Sequence, residues 1–150
     1  MTATQSLMEP LEPFVGEWTI EAELAAATPD VEAKTVFEWM AGRQFLVQRW
    51  EIPVPEAPDG LAVIGFDEDT QLYLQHYFDS RGVARLYEMA FSDGVWKLWR
   101  KTSDFTPLSF SQRFTGRFGD DGNSIEGRWE IAHDHTTWEH DFDLTYRRIT

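Results

Sequence analysis

The feature that most constrains this chain is a two-residue alternation that turn residues restart at short intervals. Trp18, Ile20, Ala22 and Leu24 alternate with Thr19, Glu21 and Glu23, so one face of the run is apolar and the other polar. That is the repeat of a strand with one buried side. KTVFEWM and QFLVQRWEI follow, and then LAVIGF, QLYLQHYF, VARLYEMAF, VWKLWRK, LSFSQRFTGRF, SIEGRWEI and WEHDFDLTYRRI. The turns between these later runs fall at Asp67–Thr70, Asp79–Gly82, Ser92–Gly94, Ser103–Pro107, Gly119–Asn123 and around Asp134–Thr136. Such links are mostly too short for parallel crossovers, so successive runs pair as antiparallel hairpins. About ten strands in sequence predict an all-β, up-and-down antiparallel barrel, with two packed sheets as the alternative.

The opening differs. Ser6 and Glu9 have capping-box spacing, and Pro10 and Pro13 limit any helix there to a turn or two. Residues 1–15 are thus expected to form a leader with a short plug helix, and residues 16–150 a single barrel domain. Thr28-Pro29-Asp30 predicts a turn, and PVPEAPDG over 53–60 a stiff connection.

Composition narrows the partners. The formal net charge is −13 with no basic cluster, which disfavours nucleic acid and anionic membrane. With no cysteine there is no disulfide, thiolate nucleophile or cysteine-held metal. No basic-then-apolar leader is present and no apolar run reaches membrane-spanning length, so a cytoplasmic location is expected. Aromatic residues make up 15% of the chain, enough to fill a core or to line a cavity.

Gly16-Glu17-Trp18, at the start of the first strand and after a short leader, resembles the opening of calycin-superfamily barrels, which include the lipocalins and the nitrobindin-like haem proteins. FEWMAGRQFLVQRW, GLAVIGFDED, HYFDSRGVARLYEM, QRFTGRF and WEHDFDLTYRR look closer to a bacterial group of calycin-like domains of uncharacterised function. The resemblance implies a barrel closed at one end, with Gly16 and Trp18 at that end and Arg148 of the last strand crossing the indole. It also implies a haem alternative, because nitrobindin-like proteins use a histidine late in the barrel, and His140 is the match. After Trp18, however, the chain reads Thr-Ile-Glu-Ala and lacks the further Gly-rich pattern of the nitrobindin-like opening.

Parity selects the candidate lining residues. In the last run Trp138, His140, Phe142, Leu144 and Tyr146 share a face opposite Glu139, Asp141, Asp143 and Thr145, which predicts an inward His140. His76 shares its face with Leu72, Leu74 and Phe78, against Gln71, Tyr73, Gln75 and Tyr77, so polarity leaves that strand open. Arg85 runs with Val83, Tyr87, Met89 and Phe91, the better inward set. An inward arginine needs a carboxylate, water or an anionic ligand. Arg49 raises the same question, Arg113 is expected outward, and Trp129 is a wall candidate beside the small Gly127. The ligand-binding candidates are His140, His76, Arg85, Tyr87, Arg49 and Trp129.

No nucleophile elbow, phosphate loop or dinucleotide fingerprint occurs, so no catalytic residue is assigned. His133, His135 and His140 in HDHTTWEH do not converge on a metal by spacing. The sequence therefore predicts capture of a hydrophobic or amphipathic small molecule in the barrel. Haem binding with nitric-oxide or peroxynitrite chemistry is one alternative. A filled-core interaction domain, including a homodimer, is the other.

Overall fold

The computed structural model describes residues 2–22, 33–53, 57–100, 103 and 107–150. The turn expected at 28–30 lies outside these residues, as do parts of the connections at 53–60 and 103–107. Helix α1 (Ala3–Met8) runs into a 3-10 segment (Glu9–Phe14). Ten strands follow: β1 (Gly16–Ala22), β2 (Ala33–Trp39), β3 (Leu46–Glu51), β4 (Gly60–Asp67), β5 (Leu72–Asp79), β6 (Ala84–Ser92), β7 (Val95–Trp99), β8 (Ser111–Phe118), β9 (Ser124–Ala132) and β10 (Glu139–Arg148). Each strand pairs antiparallel with its sequence neighbours, and β1 pairs with β10, which closes the barrel.

The helix starts earlier than the sequence suggested. Thr2, not Ser6, is the N-cap: its hydroxyl accepts from the Gln5 amide while the Gln5 side chain accepts from the Thr2 amide. Pro10 and Pro13 remove amide donors, and the chain past Met8 tightens into the 3-10 segment. This places Met8, Leu11 and Phe14 inside the end of the barrel with no exposed surface. The Phe14 ring meets the rings of Phe37, Phe91, Trp96 and Phe118 at centroid distances of 4.9 to 5.3 Å, three of the four edge-on. Burying each such side chain is worth about 1.5–3 kcal/mol.

Trp18 and Arg148 close this end. They are register partners across the β1–β10 seam, and the guanidinium carbon lies 4.2 Å from the indole centroid. Nη1 donates to the Val15 carbonyl (2.7 Å) and Nη2 to the Pro13 carbonyl (2.6 Å), while Trp18 Nε1 donates to the Phe14 carbonyl (2.9 Å). One arginine thus ties the last strand to the leader and to the first strand. Gly16 is required by the same crowding. It sits at φ +137°, and a Cβ there would press on the Thr150 carbonyl and lie 2.6 Å from Arg148 Nη1.

Arg148→Lys should destabilise the barrel by about 1–3 kcal/mol in urea unfolding, since a lysine cannot reach both carbonyls and cover the ring. Arg147→Lys, at a solvent-exposed pair with Glu21, should change it by under about 0.5 kcal/mol. Equal effects of the two would show that the guanidinium fork is not the lock.

Candidate ligand site at the open end of the barrel

The interior has two unlike halves. At the leader end the inward residues Trp18, Phe37, Leu46, Ile64, Trp96, Phe114 and Ile125 are at most 2% exposed. At the opposite end Trp50, Tyr77, Arg85, Gln112, Trp129 and Phe142 share the parity of those core residues, yet each is only half-buried. Solvent reaches these side chains, and the lining they form is aromatic and polar together.

Within this mouth the polar groups form a linked set. Arg85 Nη1 donates to Gln112 Oε1 (3.3 Å), and Tyr87 donates its hydroxyl to the same oxygen (3.1 Å). The Arg85 guanidinium also lies over the rings of Tyr77 and Phe110, at 5.9 and 5.7 Å. Its Nε is buried without a hydrogen-bond partner among the described residues. Tyr77 stacks on Trp50 with centroids 5.3 Å apart, and Trp129 meets Tyr87 edge-on at 5.7 Å. Gly60 stands opposite Trp50 because any Cβ would enter the indole.

The rim is held by Asp79, whose carboxylate has no exposed surface. It accepts from the Tyr77 hydroxyl (2.6 Å), from Arg81 Nη2 (2.7 Å) and from the Arg81 amide (2.9 Å). Burial alone would raise its pKa, but the hydrogen bonds from Arg81 and Tyr77 outweigh burial and bring it down to about 2. Burial first, and then the Asp79 hydrogen bond, push the Tyr77 hydroxyl well above its ordinary value, so it stays a donor. The β5–β6 turn thereby holds Tyr77 in place. Ser80 bonds in turn to Asp59 through both its amide and its hydroxyl.

The other candidates are placed elsewhere. His140 does not face inward. The β9–β10 register shifts between His140 and Phe142, so that Phe142 stands opposite Trp129 while His140 stands opposite the outward Glu130. One extra residue, Asp141, reverses the parity that the sequence pattern assumed. His140 is exposed on the outer wall, its Nε2 3.7 Å from Asp143 Oδ1. In that position it does not fit as the ligand of an iron inside the barrel. His76 also points outward, beside Val63, Leu74 and Phe45 in an outer groove of about 220 Å³. On β5 the Tyr73, Gln75 and Tyr77 face is the inward one. Arg49 is outside as well, in an exposed ion pair with Glu38. Arg113 is outward as expected, bidentate to Glu130 and 4.1 Å over the Trp138 ring.

Arg85, Tyr87 and Trp129 are thus brought together at the mouth, whereas His76, Arg49 and His140 lie outside the wall. The sequence reading passed over Trp50 and Gln112 as site residues and took Asp79 for a turn residue of the β5–β6 hairpin. Gln112 was accessible by parity, since it alternates in register with Phe110 and Phe114. Among the described residues, no group of three or more His, Asp or Glu side chains is gathered in a way that could hold a metal ion. No helix among them is long and apolar enough to cross a membrane.

This arrangement defines a class: a closed, ten-stranded calycin-like barrel, plugged at one end by its own leader and lined at the other by rings and an arginine. The chain is similar to the apo form of lipid binding protein 8 (LBP-8) of Caenorhabditis elegans, with a TM-score of 0.60, 7% identity, and coverage of 92% of this chain and 96% of that one. It is similar also to Rv2717c from M. tuberculosis, with a TM-score of 0.60, 11% identity and coverage of 96% and 98%. At these identities the likeness is one of fold. No family model matches the sequence, and no curated protein matches it.

Asp79→Asn tests the rim. A carboxyl whose pKa is lowered on folding contributes stability above its unfolded pKa and loses it as pH falls through the folded value. Stability of the parent protein should therefore contain a component lost between about pH 4 and about pH 2. In the variant, thermal unfolding near neutrality should be destabilised by roughly 1–3 kcal/mol and that acid component should vanish. An unchanged acid profile would remove Asp79 as its source.

Proposed function

We propose that this barrel binds a hydrophobic or amphipathic small molecule through its open end, with an acidic head group held at Arg85. The observation that carries the reading is the contrast between the two halves of the interior. Rings without exposed surface fill the leader end, and half-exposed Trp50, Tyr77, Trp129 and Phe142 surround a cation at the other. Among the described residues, Arg85 meets a neutral amide oxygen rather than a carboxylate, and its buried Nε has no partner. A carboxylate supplies both the charge and the acceptor that this guanidinium lacks. Apolar burial contributes about 25 cal/mol per Å² of ligand surface before ordering costs. The similarity to a protein named for lipid binding supports the same class of ligand.

Tryptophan fluorescence titrated with decanoate and with decanol separates the head group from the chain. Decanoate should bind the more tightly, and Arg85→Met should weaken decanoate by about tenfold or more while leaving decanol unaffected. Failure of both to bind, together with native mass spectra showing no copurifying small molecule, would overturn the proposal. In that case the interaction-domain reading gains ground, because Phe45 and Phe78 are 40% and 41% exposed on the outer wall. Phe78→Ser would then be expected to shift the oligomeric state seen by sedimentation.

A further inference from the structure

A second polar address lies one layer deeper in the same mouth. Gln75 points inward from β5 and is 5% exposed, and among the described residues its buried Oε1 has no hydrogen-bond partner. A second inward glutamine, equally buried, is treated differently. Gln48, also 5% exposed, donates Nε2 to the Thr35 hydroxyl (3.2 Å), and that hydroxyl donates to the Arg49 carbonyl (2.9 Å). Buried amide oxygens are paired in folded proteins as a rule, and an exception calls for an explanation.

The hydroxyls best placed to pair with Gln75 are turned away from it. Tyr87, its register neighbour on β6, donates to Gln112, and Tyr77, two residues on along the same face, donates to Asp79. Both tyrosines therefore border Gln75 while their protons are committed elsewhere. Tyr77 is in turn the register partner of Arg85. Gln75 thus sits one pleat repeat, about 6.8 Å, further into the barrel than the Arg85 level.

We infer that the ligand is a hydroxy acid: its carboxylate meets Arg85, and a hydroxyl a few carbons along the chain donates to Gln75 Oε1. This rests on the acid-binding reading above and adds to it the chemical class of the chain. A neutral donor suits the position better than an ammonium, because a second cation so close to Arg85 would be repelled. Recognition at two points also sets the direction of entry, carboxylate at the mouth and chain toward the apolar layer of Ile64, Met89 and Leu98.

The test compares decanoate, 5-hydroxydecanoate and 3-hydroxydecanoate on the full chain by isothermal titration. One of the hydroxy acids should bind roughly 2- to 12-fold more tightly than decanoate, the gain of one neutral hydrogen bond. Gln75→Met should abolish that preference, read as the ratio of hydroxy-acid to decanoate affinity within the variant, whereas Arg85→Met should weaken all three acids alike. Without any ligand, Gln75→Met should raise the thermal midpoint, because it removes an unpaired buried oxygen; Gln75→Leu gives a second version of this measurement. Decanoate binding with no hydroxyl preference, or a preference that survives Gln75→Met, overturns the inference while the acid-binding function stands. A lowered midpoint in both variants also overturns it, since Gln75 would then be satisfied within the protein. Absence of binding by any of the acids overturns both readings together.

Discussion

The contact on which the rest of the barrel depends is the guanidinium of Arg148 laid over the indole of Trp18. Ten strands close into a wall only if the first and last meet in register, and these two residues are register partners at that meeting. The side chain that covers the ring also binds the carbonyls of Pro13 and Val15. Closure of the sheet and docking of the leader are therefore one event. With the leader docked, Met8, Leu11 and Phe14 exclude water from that half, and the remaining half is the part left to meet a ligand. This division turns a generic barrel into one with a defined mouth.

Much of the architecture was legible in the sequence because alternation and turn chemistry act locally. The two-residue period and the Gly- and Asp-bearing turns specify hairpins without reference to distant contacts, and hairpins in series leave few arrangements other than a meander. The Gly16, Trp18 and Arg148 constellation was readable through its resemblance to calycin barrels, and the geometry gives its physical reason. The helix cap was misplaced because Ser6 and Glu9 and the true pair, Thr2 and Gln5, satisfy the same spacing rule. Local pattern alone does not rank two caps four residues apart.

The site was less legible, for two distinct reasons. On β5 both faces are mixed: Leu72, Leu74 and Phe78 look like a core face but lie outside, whereas Tyr73, Gln75 and Tyr77 lie within. A barrel that keeps polar groups in its interior defeats the assumption that the apolar face is the buried one. On β10 the bulge at Asp141 was decisive, because parity carries inference only as far as the ladder is regular. His140 lies on the wrong side of that break from Phe142, Leu144 and Tyr146, the residues used to orient it. On β6 the ladder is regular, and Arg85, Tyr87, Met89 and Phe91 alternate without interruption on the inward face.

The order of the strands has a consequence for how the chain reaches this state. Around the barrel, every neighbouring pair but one joins strands adjacent in sequence; the exception is the seam of β1 with β10. The hairpins carry small loop-closure costs, while the seam must bring together segments separated by almost the whole chain. Until it forms, the curled sheet has two bare edges whose amides and carbonyls match those of any other copy of the chain. The interval before the seam zips is thus the stage at which one molecule is most open to trading strands with another, and an arginine that waits at the far end of the last strand is what brings that interval to a close.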